Sequence, residues 1–160
     1  MLDRSMNTLP AHLITWTTYG TWLPGDERGS FVDDRIEGPG RSRAKPKLEA
    51  SARSKATQSV IKLSDEARNI VDQAIREHAA HKGWTLIALN VRTNHVHLVI
   101  SGGPSPERVM NEMKSWATRA LRSGGLYGAD QKVWTRHGST RHVHTDASLR
   151  RAVSYVLNEQ

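Results

Sequence analysis

The sequence predicts an α+β domain built on one antiparallel sheet. Three observations carry this. Stretches rich in β-branched and aromatic residues alternate along the chain with stretches whose apolar residues recur at i, i+3, i+4 and i+7. The boundaries between them fall on capping and turn residues. The length, 160 residues at 37% hydrophobic content, suits one domain with a real core, spanning 1–160.

Residues 12–18 (His-Leu-Ile-Thr-Trp-Thr-Thr) have the composition of a strand, broken by Pro24-Gly25-Asp26. Residues 24–62 read as an irregular insertion with little periodicity. Between Arg35 and Lys55 it holds seven basic residues, among them Arg41, Arg43, Lys45 and Lys47, against Glu37 and Glu49. It reads either as a solvated linker or, taken as a cluster, as a phosphate-tracking arm. Its apolar tail, Val60-Ile61, is expected to dock on the body. Ser64 then caps a helix with Asp65 and Glu66 in its first turn, Ala67, Ile70, Val71, Ala74 and Ile75 on its apolar stripe, and Gly83 as its stop. His78 and His81 are expected on that helix's surface. Residues 84–91 form a strand, and Arg92-Thr93-Asn94 turns it into the next one, giving a hairpin.

That next strand is Thr93-Asn94-His95-Val96-His97-Leu98-Val99-Ile100. Alternation places His95 and His97 on one face, about 7 Å apart, and Val96, Leu98 and Ile100 on the other. The pair suits two ligands of one divalent metal. The plain alternative is two histidines on a solvated face. Ser105-Pro106 starts a second amphipathic helix through Val109, Met110, Met113, Trp116, Ala117 and Leu121, closed by Gly124-Gly125. Its Met/Trp stripe is expected in the core. Lys114, Arg119 and Arg122 fall off that stripe, where they can meet DNA. Val133-Trp134 and residues 139–145 read as short strand pieces. His137, His142 and His144 are expected on an edge-strand surface. Asp146 caps a last helix, residues 147–160, whose apolar stripe is Leu149, Ala152, Val153, Val156 and Leu157. Tyr155 and Glu159, four residues apart, flank that stripe together. The plain readings are a core-rim tyrosine and a solvated terminal carboxylate. The order β–α–β–β–α–β is the ferredoxin-like plan, a four-stranded antiparallel sheet with helices on one face. To it is added a C-terminal helix carrying Tyr155. The sheet's other face is expected to be free.

Composition narrows the chemistry. There is no cysteine, which removes disulfides, thiolate metal sites and cysteine nucleophiles. No apolar run approaches 18 residues, and the N-terminus lacks a signal-peptide core, so a cytoplasmic protein is expected, nucleoid-associated when bound to DNA. The formal net charge is +7, and the basic insertion carries most of it. Such a charge favours a polyanionic partner, nucleic acid first.

Taken together, the His-x-His strand, the Tyr155 helix and the basic arm resemble the single-tyrosine HUH transposases. These are the insertion-sequence 200-like family, with its REP-associated branch. The most specific segments are Thr-Asn-His-Val-His-Leu-Val-Ile and the closing Asp-Ala-Ser-Leu-Arg-Arg-Ala-Val-Ser-Tyr-Val-Leu-Asn-Glu. The resemblance implies that Tyr155 attacks a phosphodiester of single-stranded or hairpin DNA. This leaves a 5′-phosphotyrosyl enzyme and a free 3′-OH that can rejoin a strand. It implies a divalent metal, Mg²⁺ or Mn²⁺, on His95, His97 and a third ligand four residues after the tyrosine, which is Glu159. Free tyrosine, with a pKa of about 10, is a weak nucleophile at neutral pH, so such metal assistance makes physical sense. It also implies a homodimer in which the tyrosine helix can act on the partner copy. The REP-associated branch continues past its tyrosine with Asn-Pro and a further segment, whereas this sequence carries five residues after Tyr155. The alternative function is a non-catalytic, domesticated nucleic-acid-binding protein on the same fold. A two-histidine phosphoesterase is set aside, because its two His-x-Ser/Thr motifs are lacking.

Overall fold

The computed structural model describes residues 10–21 and 59–158. Its elements are β1 (Ala11–Thr18), α1 (Asp65–Lys82), β2 (Thr85–Val91), β3 (His95–Ser101), α2 (Pro106–Ser123), β4 (Trp134–Val143) and α3 (Asp146–Asn158). The strands form one sheet in the order β2-β3-β1-β4, with every neighbouring pair antiparallel. This is the ferredoxin-like α+β arrangement, with β1 and β3 central. Of the basic insertion at 24–62, residues 24–58 lie outside the described residues.

Local chemistry fixes the helix ends. Ser64 Oγ accepts from Ala67 N at 3.1 Å, and Ser105 Oγ accepts from Arg108 N at 3.2 Å, with Pro106 in the first helical turn. Gly83 ends α1 in the left-handed region at φ 77°, where a side chain would be strained. For α3 the cap is Thr145 rather than Asp146. Thr145 Oγ1 accepts from Ser148 N, and Ser148 Oγ accepts from Thr145 N, both at 3.0 Å. This reciprocal box leaves Asp146 in the first turn, where its carboxylate still suits the helix dipole.

Helices α1 and α2 cover one sheet face. The core there joins Ile14 and Trp16 of β1, Val96, Leu98 and Ile100 of β3, and the helix residues Val71, Ile75, Met113 and Leu121, all buried. Alternation thus places the β3 apolar set as the sequence predicts. Ile61 docks on this core, held by Thr18 Oγ1 donating to its carbonyl at 2.7 Å, while Val60 stays exposed. The second face is not free. Helix α3 lies across it on a smaller apolar patch of Ala11, Ala88, Val99, Val143, Ala152 and Val156. Each strand gives this face one small buried apolar residue, Ala11, Ala88, Val99 and Val143, and together they seat α3.

Three further expectations change. β4 is one ten-residue strand instead of two pieces. Its middle residue, Gly138, sits where a Cβ would lie 2.5 Å from the Thr15 carbonyl oxygen and 2.6 Å from Met110 Sδ. The glycine lets strand and helix approach closely, and it also hides the strand from a sequence reading. His78 is buried rather than on the surface. It bonds Glu112 at 2.9 Å and packs edge-on against Trp84. Trp116 is not core: it is 41% exposed and lies over His78.

Candidate metal and nucleophile site

The site forms where β3 meets α3. In the sheet register His97 lies between Thr15 of β1 and Asn90 of β2, and His95 lies opposite Thr17. All of these face α3. The two imidazoles meet with ring centroids 4.9 Å apart. His95 Nδ1 contacts Asn94 Oδ1 at 2.9 Å. A carbonyl oxygen can only accept, so Nδ1 carries the proton and Nε2 keeps its lone pair. His97 is 1% exposed, and neither of its ring nitrogens has a partner among the described residues. Burial, then the neighbouring His95 and Arg92, push its pKa down to about 4. Burial and Arg92 lower that of His95 as well. Both rings are therefore neutral at neutral pH, the form that ligates metals.

Tyr155 closes over this pair. Its ring packs edge-on against His97, centroid to centroid 5.3 Å, while the residue stays 44% exposed. The apolar residues Ala152 and Val156 hold α3 on the sheet. Asn90 Nδ2 then donates to the Val156 carbonyl at 2.9 Å, fixing the rotation of the helix at the residue next to Tyr155. Asn90 is missed by a reading for catalytic motifs. Its only signal is a polar residue inside the apolar run Leu-Ile-Ala-Leu-Asn-Val. Tyr155 and His95 open into a cavity of about 870 Å³ whose lining also includes Thr15, Asn94, Arg141 and Arg151.

The structure thus brings His95, His97 and Tyr155 together. Glu159 lies outside the described residues, as do Arg41, Arg43, Lys45 and Lys47. Among the described residues no three His, Cys, Asp or Glu side chains gather into a metal cluster. Arg119 and Arg122 sit on α2, behind the sheet. Arg119 stacks over Trp116 at 4.8 Å, and both arginines line a shallow depression of about 640 Å³. Lys114 is corrected: it is buried, and its Nζ donates to the carbonyls of Thr135, Arg136 and His137 at 2.9, 3.2 and 3.2 Å. Burial lowers its pKa to about 8, and the ammonium straps α2 to β4 instead of facing solvent. His142 shares a hydrogen bond with His12 at 3.0 Å and stacks on His144, at the edge of the sheet. Tyr19 and Tyr127 are partly buried against the main core.

A family model described as Transposase IS200 like matches residues 51–159, more than half of the chain and the whole span from α1 to α3. The chain belongs to the IS200-like transposase family. Two solved structures are similar to it. One is a candidate transposase from Deinococcus radiodurans R1, at 16% identity, covering 95% of this chain and 91% of that one, with a TM-score of 0.49. The other is a REP-associated tyrosine transposase bound to a REP hairpin, at 10% identity and a TM-score of 0.50. That alignment covers 93% of this transposase and 64% of the other chain. At 10% identity this second likeness speaks for the fold alone. No curated protein sequence matches. No helix among the described residues of this transposase is long and apolar enough to cross a membrane.

Proposed function

We propose that this transposase cuts and rejoins single-stranded or hairpin DNA, with Tyr155 as nucleophile and His95, His97 and Glu159 as ligands of a divalent metal. The observation that carries the reading is the seating of Tyr155 over a buried, neutral His97 whose nitrogens have no partner among the described residues. Leaving a buried polar atom unpaired costs about 1–3 kcal/mol, and coordination of a cation satisfies it. The donor set fits this: two imidazoles, with a carboxylate oxygen from Glu159 suited to Mg²⁺ or Mn²⁺. When bound, such a cation polarises the scissile phosphate and offsets the charge that builds on it.

The residues of the chain supply the rest. Tyr155 Oη forms a bond to phosphorus as the bond to the 3′ oxygen breaks. The tyrosine proton is lost and the 3′ oxygen gains one, giving a 5′-phosphotyrosine and a 3′-OH. Reversal by another 3′-OH rejoins a strand. Asn90 holds α3, and so the Tyr155 ring, in register with the histidines. The open cavity admits a strand, and the exposed Arg119 and the basic insertion with Arg41, Arg43, Lys45 and Lys47 add attraction for phosphates. Tyr155 lies over His97 of its own chain, which supports action within one chain over exchange in a homodimer. The net charge alone also suits a non-catalytic nucleic-acid binder, but that reading gives the buried His97 no task.

The test is a denaturing gel after incubation with hairpin-bearing single-stranded DNA and Mn²⁺. Wild type should give a covalent protein–DNA band and Tyr155→Phe none. An undiminished band from the variant removes Tyr155 from its role.

A further inference from the structure

The cavity beside Tyr155 has a charge pattern that the nucleophile and its metal ligands do not account for. Its lining includes three arginines, Arg92, Arg141 and Arg151, together with the hydroxyls of Thr15, Ser139 and Ser148, and no carboxylate among the described residues. Arg141 and Arg151 come from opposite walls. Arg141 stands on β4 opposite Leu13, so it shares the sheet face of His97 and lies one pleat repeat, about 7 Å, beyond the row formed by His97, Thr15 and Ser139. Arg151 is four residues before Tyr155 on α3, which puts the two on one helix flank with Cβ atoms about 5–6 Å apart. Both arginines are exposed, and neither makes an ion pair with any described residue.

Surface arginines are commonly no more than solvated charges. Here two guanidiniums without an ion pair among the described residues line one cavity from the sheet and from the helix, beside the nucleophile. An arginine fork matches a phosphate bidentately and cannot lose its charge at neutral pH. We infer that Arg141 and Arg151 together hold the phosphate adjacent to the scissile one on a single DNA strand. That contact would set where the strand stops, and so which phosphate reaches Tyr155. The inference rests on the DNA-cutting reading above. It goes beyond it by assigning a second phosphate subsite to residues outside the metal and nucleophile set. They are positioning residues, and they touch no reacting atom.

The experiment measures binding and cutting of a set of hairpin-bearing single strands, each carrying one uncharged methylphosphonate at a different position near the cleavage site. With the wild-type protein, one position next to the scissile phosphate should weaken binding about tenfold. Arg141→Ala and Arg151→Ala should each bind the unmodified strand about 5–20-fold more weakly, raise KM far more than they lower kcat, and lose the penalty at that one position. Arg151→Lys should restore part of the affinity. Thermal melting of the exposed-arginine variants should match wild type. If the variants keep the full methylphosphonate penalty, or show equal penalties at every position, the subsite is overturned. A wild-type protein that binds the strands without forming an adduct removes the tyrosine reading alone, since the binding arm still decides the arginines. A wild-type protein that binds no single strand removes both.

Discussion

Asn90→Ala separates positioning from stability. The lost interaction is one hydrogen bond, from Asn90 Nδ2 to the Val156 carbonyl at 2.9 Å, between strand β2 and the helix that carries Tyr155. Its net worth to folding is about 1 kcal/mol, and the half-buried carbonyl left behind raises the cost to roughly 1–2 kcal/mol. For a chain of this size that lowers Tm by about 2–8 °C. The effect on chemistry should be larger than the effect on folding. α3 rests on a small patch of alanines and valines, so without Asn90 it is free to shift over the sheet. A displacement of about 1 Å at a reacting group costs on the order of a hundredfold in rate. The assay pairs thermal melting with the single-turnover rate of covalent adduct formation at saturating DNA and Mn²⁺. Melting lowered as stated, with an adduct rate within twofold of wild type, would refute the claim that Asn90 aims the tyrosine. A Tm drop much above 8 °C would refute the view that it does little else.

Three other outcomes follow from the same geometry. His97 has a folded pKa of about 4 against 6.5 unfolded, so the unfolded chain binds more protons between these values. Metal-free stability should therefore rise with pH across that window, by about 3 kcal/mol in all, of which chemical denaturation at pH 4.5 and 6.5 in the presence of chelator reads about 2 kcal/mol; His97→Leu should flatten the slope. Lys114→Met should cost about 1–3 kcal/mol by leaving three carbonyls of β4 unpaired, yet leave the salt dependence of DNA binding unchanged, whereas Arg119→Ala should reduce that dependence at little cost in stability. Gly138→Ala should destabilise by about 1–3 kcal/mol, measured by denaturant titration, because its Cβ meets both the Thr15 carbonyl and Met110.

What a sequence reading reaches here is what neighbouring residues decide. Ser64, Gly83, Ser105 and Pro106 fix the ends of α1 and α2 through contacts within one turn. Strand alternation alone divides β3 into a core side and a histidine side. The 3.6-residue period puts Tyr155 on the flank of α3, where it lies. What escapes the reading depends on distant partners. Lys114 and His78 have the composition of surface residues, and only three carbonyls of β4 and the Glu112 carboxylate make their burial affordable. The extent of β4 is set by its pairing with β1 across Gly138. The docking of α3 rests on small residues drawn from every strand of the sheet, none of them conspicuous in its own segment. Asn90, Arg141 and Arg151 belong to three separate elements, and only the folded sheet sets them around Tyr155.

If Tyr155 is the nucleophile, its Oη is where the cut strand attaches. Protein trapped on hairpin-bearing single-stranded DNA with Mn²⁺ can be digested with nuclease and trypsin and the peptides weighed. The residual 5′-phosphonucleotide should be carried by the tryptic peptide that begins at Ala152, with fragmentation placing it on Tyr155. A nucleotide on the peptides of Tyr19 or Tyr127 would contradict it, as would cut DNA with no nucleotide on any peptide.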